Sequence, residues 1–429
     1  MNHVLDSTAV PAAQSVLSFC RNLFPSDSWS QVWLVGGAVR DLLAGRDVRD
    51  LDFVSSLKAD ALRQAGFRYV SCKSSVPIFF RSFPGGTAEL VRIESLDELC
   101  EDLRRRDFTI NSMAFSLCGE LIDPCHGRDA IAARQLCICS PDAFAADPLR
   151  LVRACRFRAE GWRPDAVTLQ KMRSFGQRGE LDTIPVERFS RELVKALAAA
   201  EPAAFFSSLL DTAAAKHFLP ELHQMATVPA GPPDKHPEGD LLSHSLQVLD
   251  RIALLSPDPI ARFCAMFHDI GKLATEPSNY PRHHGHEQAG SSLAEQFSRR
   301  LRLPRAYGRS LRGACRLHGL ANRWQELRLG TRLSMAEEAI LLGVGGIIPL
   351  LASTDKSAGI QLTGWDEFIR IAGLSAVNLG IPTERLVELP PQARQDHIRQ
   401  IRLQMLRRVL MQELNVNDCA ESGCNYETV

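Results

Sequence analysis

The pattern of hydrophobic and polar positions changes character about a third of the way along the chain. Before residue 141 short apolar runs dominate, and QVWLV, LDFV, IFFRSF and TAELVRI carry the β-branched and aromatic residues of strands. Between the second and third of these runs, the segment around Ala59–Ala65 has the spacing of a helix. From Pro141 onward the pattern is almost wholly helical, in runs such as DPLRLVRACRFRAE and VERFSRELVKALAAA. The Pro/Gly-rich stretch VPAGPPDKHPEGD breaks it, and a second helical stretch then carries most of the histidines up to about Gly359. The last helix is expected to end near Leu414, with NVNDCAESGCNYETV as a frayed tail. These breaks predict divisions at 1–140, 141–228, 236–364, 365–415 and 416–429, and an α+β chain whose sheet is confined to the first of them.

With 429 residues the chain is too long for one ordinary core. Its 45% hydrophobic and 23% charged residues are those of a globular protein. No stretch approaches the roughly 18 apolar residues that span a bilayer, so no membrane partner is expected. MNHVLDSTAV lacks a basic region followed by an apolar run, and the cytoplasm is the expected location. The 12 cysteines are scattered without a CxxC pair, as reduced structural thiols are, and Cys137 and Cys139 fit alternate positions of a strand. Lys+Arg and Asp+Glu both number 50, so net charge names no partner. Arginine is nevertheless clustered, at Arg104–Arg106, at Arg150, Arg153, Arg156 and Arg158, at Arg299, Arg300 and Arg302, and across RQIRLQMLRR. Local patches of this kind engage phosphates despite a neutral total.

The segment VWLVGGAVRDLLAGRDVRDLDFV holds the first candidate chemistry. An apolar strand enters Gly36-Gly37, where the backbone can approach a ligand and a following helix offers unpaired N–H groups to an anion. In Asp50-Leu51-Asp52 the two carboxylates lie on one side of a strand. Two adjacent negative charges are costly unless a cation lies between them, and Mg²⁺ with substrate phosphates meets that need.

Gly36, Gly37, Arg40, Asp41, Gly45, Asp50 and Asp52 together resemble the first motif of the CCA-adding enzyme and bacterial poly(A) polymerase family, within the polymerase-β-like nucleotidyltransferases. The resemblance implies Mg²⁺ at Asp50 and Asp52, and a third carboxylate on a neighbouring strand, for which Glu89 is the candidate. RRRDFTINSMAF is similar to the family's ribose- and triphosphate-binding segment, which implies nucleotide contacts for Arg106, Asp107 and Asn111. LIDPCHGRDAIAARQL matches a family hinge at Asp123, Gly127 and Asp129, and PVERFSRELVKAL matches a neck helix. AADPLRLVRACRF resembles the base-reading motif through Asp147 and Arg150, with Arg153 beyond them. Ala146 stands where the family has glutamate, a departure that removes that residue's support.

Base selection also follows from elementary chemistry. Cytosine and adenine both show an amino donor beside a ring-nitrogen acceptor, and uracil and guanine show the reverse. A carboxylate accepting from the amino group beside a guanidinium donating to the ring nitrogen therefore selects C and A. At i and i+3, Asp147 and Arg150 are expected side by side on one helix.

Further on, His244, His268-Asp269, the cluster His283, His284 and His286, then His318 and Asp355 follow in the order H…HD…H…D. Imidazoles and carboxylates from several helices suit a transition-metal site. The order resembles the HD phosphohydrolases, and PRHHGHEQAG resembles CCA enzymes that carry such a domain. This implies His244, His268, Asp269, His318 and Asp355 as ligands of a divalent transition metal, and phosphatase or cyclic phosphodiesterase chemistry. The expected architecture is thus a mixed-sheet nucleotidyltransferase head followed by all-α neck, body and HD domains, acting on the tRNA 3′ end with CTP and ATP. Only ESLDEL-like helical sequence joins Arg92 to Arg104, where CCA-adding relatives carry a flexible loop, so addition of CC alone is an expectation beside full CCA addition. Poly(A) polymerase, and an RNA-end repair protein whose true activity is HD hydrolysis, are the competing readings.

Overall fold

The computed structural model describes residues 3–4, 11–48, 50–70, 78–84, 86–382 and 387–421, with 3–4, 11–14 and 410–421 through their backbone alone. Two compact units are present. The first comprises residues 1–185 with 207–217, and the second comprises 186–206 with 218–429.

The first unit is built on eight strands, β1 (His3–Val4), β2 (Val32–Val35), β3 (Leu51–Ser55), β4 (Arg68–Val70), β5 (Ile78–Phe83), β6 (Gly86–Arg92), β7 (Ala114–Ser116) and β8 (Glu120–Ile122). They form one sheet in the order β1-β8-β7-β2-β3-β6-β5-β4. Every neighbouring pair is antiparallel except β3 and β6, which run parallel, so the expected mixed sheet is observed. The central strand β2 is buried on both faces. Val32 and Leu34 join a core with Phe53, Phe67 and Leu90, while Trp33 and Val35 join Val54, Leu99 and Leu103 on the opposite face, as the two-residue period of a strand requires. Around the sheet lie α1 (Pro11–Arg21), α2 (Gly37–Leu43), α3 (Ala59–Gln64), α4 (Leu96–Arg104) and α5 (Gly127–Ala132). There follow β9 (Gln135–Leu136), α6 (Ala143–Ala146), α7 (Leu149–Ala159), β10 (Arg163–Pro164), parallel to β9, and α8 (Ala166–Gly176). The strand expected to hold Cys137 and Cys139 ends at Leu136, and their backbone serves the neighbouring segment instead: the Cys137 carbonyl accepts from the Thr109 N–H, and the Cys139 N–H donates to the Asp107 carbonyl.

The second unit is helical. It begins with α9 (Val186–Leu197), continues through α10 (Pro202–Asp211) and α11 (Ala215–Phe218), which both units share, and then α12 (Glu221–Met225). Beyond the Pro/Gly-rich break come α13 (Leu241–Leu255), α14 (Pro259–Phe267), α15 (His286–Arg300), α16 (Arg305–Ala321), α17 (Leu329–Leu342), α18 (Ile347–Asp355), α19 (Trp365–Ala372) and α20 (Pro391–Glu421). Phe263, Phe267, Phe297 and Tyr307 pack together between α14, α15 and α16, with Phe263–Tyr307 and Phe267–Phe297 edge to face and Phe263–Phe297 stacked. Arg262, buried among them, is satisfied by the carbonyls of Leu197, Ala199, Ala253 and Ser256, without which its charge would be prohibitive there. The last helix does not stop near Leu414, as the sequence pattern suggests, but continues to Glu421, because nothing between them breaks a helix; the rest of the expected tail lies outside the described residues.

Candidate functional sites

In the first unit, the parallel pairing of β3 with β6 sets Asp52 opposite Glu89. Parallel partners share a face of the sheet, so the third expected carboxylate stands beside the second. Asp50 precedes β3 by one residue and is exposed. Burial raises the Asp52 pKa, Arg106 opposes that, and Asp50 adds to it. Glu89 is raised as well, by burial and then by Asp52. Mutual repulsion of this kind is what a divalent cation relieves, so the donor set fits Mg²⁺.

Above the carboxylates, β2 turns into α2 at Gly36, whose φ of +70° is left-handed. A Cβ there would come within 2.6 Å of Arg106 Nη1 and 3.9 Å of Asp52 Oδ2, so glycine makes room for a guanidinium at the mouth of the site. Gly37 opens α2 beside Arg40. Arg106 donates from Nε and Nη2 to Asp102 at 3.1 and 3.0 Å, which ties it to α4. Arg40 holds Asp41 in a two-point bridge and donates from Nη1 to Asn111 Oδ1 at 2.8 Å. Asn111 in turn donates from Nδ2 to Asp107 Oδ1 at 3.0 Å, and Arg153 reaches Asp107 Oδ2 at 2.9 Å. Arg40, Asn111, Asp107 and Arg153, spread over more than a hundred positions of sequence, thus form one connected network.

Asp147 and Arg150 do not form the helical pair that their spacing suggests. Asp147 is extended, at φ −150° and ψ 104°, and α7 begins only at Leu149, whose N–H donates to Asp147 Oδ1 at 3.2 Å. The reason is Pro148, whose ring disfavours the helical region for the residue before it. Arg150 instead donates to the carbonyls of Ala143, Arg105 and Arg106 at 3.2, 2.8 and 3.4 Å. These bonds use its two Nη atoms and brace the guanidinium against the RRD segment, with the Nε–H left to donate elsewhere.

The segment between β6 and the RRD motif is α4, a well-terminated helix. Ser95 accepts from the Glu98 N–H at 3.3 Å, and Glu98 reaches back to the Glu94 N–H at 2.7 Å. Leu99 and Leu103 are fully buried against Trp33, Val35 and Val54.

In the second unit, His244 lies on the first turns of α13, whose cap Asp240 accepts from the Ser243 N–H. His268 and Asp269 follow the end of α14, His286 opens α15, His318 lies in the last turn of α16, and Asp355 ends α18. Gly271 allows this convergence, since a Cβ on it would meet the His286 carbonyl at 2.0 Å. Asp355 Oδ1 is 3.0 Å from His244 Nε2 and 3.2 Å from His268 Nε2. Asp269 Oδ2 faces His268 Nε2 at 3.3 Å and Lys272 Nζ at 2.6 Å. Its other oxygen, Oδ1, faces His286 and His318 at 3.3 and 3.2 Å.

Each of these imidazoles spends Nδ1 on a neighbour. The partners are Glu238 Oε1 for His244 at 2.7 Å, the Ala265 carbonyl for His268, the His283 carbonyl for His286, and the Ala314 and Cys315 carbonyls for His318. An acceptor at Nδ1 fixes the N–H there, so in the neutral ring Nε2 is the lone-pair atom, and the four Nε2 atoms point at two carboxylates. His286 Nε2 and His318 Nε2 are only 3.2 Å apart, a contact that two lone pairs tolerate only with a cation or proton at hand. The donor set therefore fits a divalent transition metal. Burial works against charging His268, but Asp269 and Asp355 outweigh it and its pKa is pushed up to about 10. Against the same burial, Lys272 and His268 hold Asp269 well below the usual carboxylate range, and His268 and His244 do so for Asp355.

All five expected ligands come together here, and His286 joins them, although the motif order does not mark it as a ligand. The run of three histidines obscures it, and the other two are spent elsewhere: His283 bonds Thr275 Oγ1 and the Pro229 carbonyl, and His284 is exposed. Glu238 is equally unmarked, inside a Pro/Gly-rich stretch that reads as a mere break.

Three families match the chain in order: the poly A polymerase head domain over residues 32–75 and 80–137, the probable RNA and SrmB-binding site of polymerase A over 162–225, and the HD domain over 241–342. A multifunctional CCA protein of Methylococcus capsulatus is 39% identical over 327 residues, which are 72% of this chain and 76% of that one. The chain belongs to the multifunctional CCA protein family. A second member, from Hahella chejuensis, is 35% identical over 79% of this chain and 84% of its own. Among solved structures, a Thermotoga maritima CCA-adding enzyme in complex with tRNA covers 95% of both chains with a TM-score of 0.61, and a CCA-adding enzyme with CTP covers 91% of both with 0.59. At 18% identity, what this member of the multifunctional CCA protein family shares with those two is the fold. No single helix among the described residues is long and apolar enough to cross a membrane.

Proposed function

We propose that the chain is a template-independent nucleotidyltransferase that builds or repairs the 3′ CCA end of tRNA from CTP and ATP in the cytoplasm. The observation that carries this reading is the pairing of Asp52 with Glu89 across β3 and β6, next to Asp50 and beneath Arg106. Residues 1–140 form the head in this reading, 141–228 the neck, and 236–364 the HD domain, with the C-terminal helices over 365–415. Asp50 and Asp52 would hold Mg²⁺, and the ion would supply acidification of the attacking hydroxyl and positive charge for the departing pyrophosphate. The 3′-oxygen of the RNA bonds to the α-phosphorus of the nucleotide as the bond to pyrophosphate breaks. Glu89 completes the carboxylate set. Arg106 and Arg40, at the Gly36–Gly37 turn, receive the triphosphate, and Asp107 and Asn111 receive the ribose. Metal-dependent incorporation of CMP into a tRNA that lacks CCA tests this reading, and its absence would exclude it.

Asp147 and Arg150 read the base. The brace on Arg150 aims its remaining N–H groups at one place, which suits the donation to a ring nitrogen that C and A share. Alanine at position 150 is expected to raise UMP and GMP incorporation relative to CMP by about tenfold or more, because a charge-assisted hydrogen bond contributes about 1.5–3 kcal/mol. Competition assays with the four nucleotides measure the ratio, and an unchanged ratio makes Arg150 a structural brace alone.

The capped α4, anchored by the buried Leu99 and Leu103, favours a second, narrower reading, addition of CC only. Adenine is larger than cytosine, and the base-reading pair has to shift to accept it. A helix anchored by Leu99 and Leu103 and bonded to Arg106 through Asp102 has little freedom to drive such a shift. Offered a tRNA ending in CC together with ATP, the protein is expected to add AMP poorly, while a tRNA without CCA gains two C residues. Rapid AMP addition to the first substrate overturns the narrower reading and leaves the wider one in place. The HD cluster supports a metal-dependent phosphohydrolase or phosphodiesterase activity in the second unit.

A further inference from the structure

Helices α15 and α16 border a cavity of about 770 Å³ whose lining residues include none of the HD cluster. Arg299, Arg305, Arg309 and Arg312 line it. Arg312 is paired with Glu295 at 2.8 Å, whereas Arg299, Arg305 and Arg309 have no acidic partner among the described residues. Three uncompensated guanidinium groups around one cavity repel one another and raise the local concentration of anions. Ser298 also lines the cavity; it is 3% exposed and its hydroxyl has no hydrogen-bond partner among the described residues. The cavity also meets the start of α16, a 17-residue helix whose first-turn N–H groups favour an anion.

The charge continues along α16. Arg305, Arg309, Arg312 and Arg316 recur at intervals of four, three and four residues, which places them on one helix face over about 16 Å. Arg312 and Arg316 line an adjoining cavity of about 410 Å³, where Glu338 pairs with Arg316 at 2.5 Å. Arg305 and Arg309 carry the uncompensated charge of this row, and the paired Arg312 and Arg316 extend it along the helix, an arrangement that suits the phosphates of a strand. Among the described residues the first cavity has no aromatic lining side chain on which a base could stack, so recognition there is of the backbone and independent of sequence.

We propose that the α15–α16 face of the second unit binds the phosphate backbone of RNA, with one phosphate among Arg299, Arg305 and Arg309. This rests on the reading of the chain as a tRNA nucleotidyltransferase and adds to it a contact between the HD-bearing unit and the tRNA. The test uses the full chain with both Arg305→Glu and Arg309→Glu, two exposed side chains whose replacement removes no buried contact. Binding of a tRNA lacking CCA, measured over a range of salt, is expected to weaken by at least about tenfold, and the slope of log Kd against log salt to fall by about 2. Binding of CTP and hydrolysis of a small phosphodiester are expected to stay as in the wild type. Equal tRNA affinity and slope in variant and wild type would overturn the proposal while leaving the nucleotidyltransferase reading intact; failure of the wild type to bind tRNA at all would sink that reading first. Loss of inorganic phosphate binding with tRNA binding preserved would mark a small-anion site and also overturn it. As a measurement that needs no variant, a tRNA carrying 4-thiouridine is expected to cross-link the wild type within residues 299–316, and cross-links confined to other peptides count against the proposal.

Discussion

Replacing Asp52 with alanine is expected to lower CMP incorporation by at least about 10³-fold, the scale on which loss of a positioned metal and its charge stabilisation acts. Asp52 is linked to the other groups of the head: Glu89 is its partner across the strands, Arg106 sits above it, and Asp50 precedes it by two positions. Removing it leaves Glu89 without the neighbouring carboxylate that adds to the effect of burial on its pKa, and takes away the anion that the Arg106 charge stabilises. The fold should survive, because Asp52 caps no helix and fills no core; its neighbours Leu51 and Phe53 do the packing on the other face. Hydrolysis by the HD cluster should be unaffected, because none of its residues belongs to the first unit. Single-turnover CMP addition to a tRNA lacking CCA measures the effect, and a variant within about tenfold of wild type would remove Asp52 from the metal site.

The second large effect concerns Asp269, whose carboxylate approaches four histidines of the HD cluster. Its two oxygens face different partners, Oδ2 towards His268 and Lys272 and Oδ1 towards His286 and His318, so it ties both halves of the cluster together. Asp269→Asn retains the shape, replaces one ligand oxygen by a donor and removes the negative charge. Bound divalent transition metal is expected to fall to background, and metal-dependent phosphatase activity by about 10³-fold, with CMP addition kept. The asparagine is the better substitution, because alanine would leave the Lys272 ammonium buried with nothing in place of its carboxylate, a loss of about 3–5 kcal/mol that could unfold the unit by itself. His268→Ala is expected to give the same loss of metal. Metal analysis of protein purified without chelator decides the matter: an Asn variant that keeps full occupancy and rate, or a wild type that never takes up metal, argues for a vestigial cluster.

Both sites are partly legible in the order of amino acids alone, and the division has a physical pattern. The strands around VWLV and LDFV, the turn at Gly36–Gly37, the Asp50/Asp52 pair and the capped helix after Ser95 all depend on neighbours a few positions away, and period-two or cap signals report such neighbours directly. The departure at Asp147 is local as well: an aspartate followed by proline is steered out of the helical region, and the dipeptide itself carries that signal.

The class of each element, the order of the motifs and the residue types that carry the chemistry are therefore properties of the linear chain. Which of those residues meet is a property of the packed molecule. Glu89 becomes the partner of Asp52 through the register of two parallel strands separated by β4 and β5, a choice that no local preference makes. His286 enters the cluster while His283 and His284 do not, because the packing of α15 against the turn at Gly271 aims one ring of three inward. Arg150 meets backbone carbonyls rather than Asp147, and Glu238 meets His244 from within a stretch that reads as a break. Pattern along the chain reports what each segment can bury, whereas distances between side chains far apart in sequence are set by how the buried faces pack, and the chemistry of both sites is a matter of those distances.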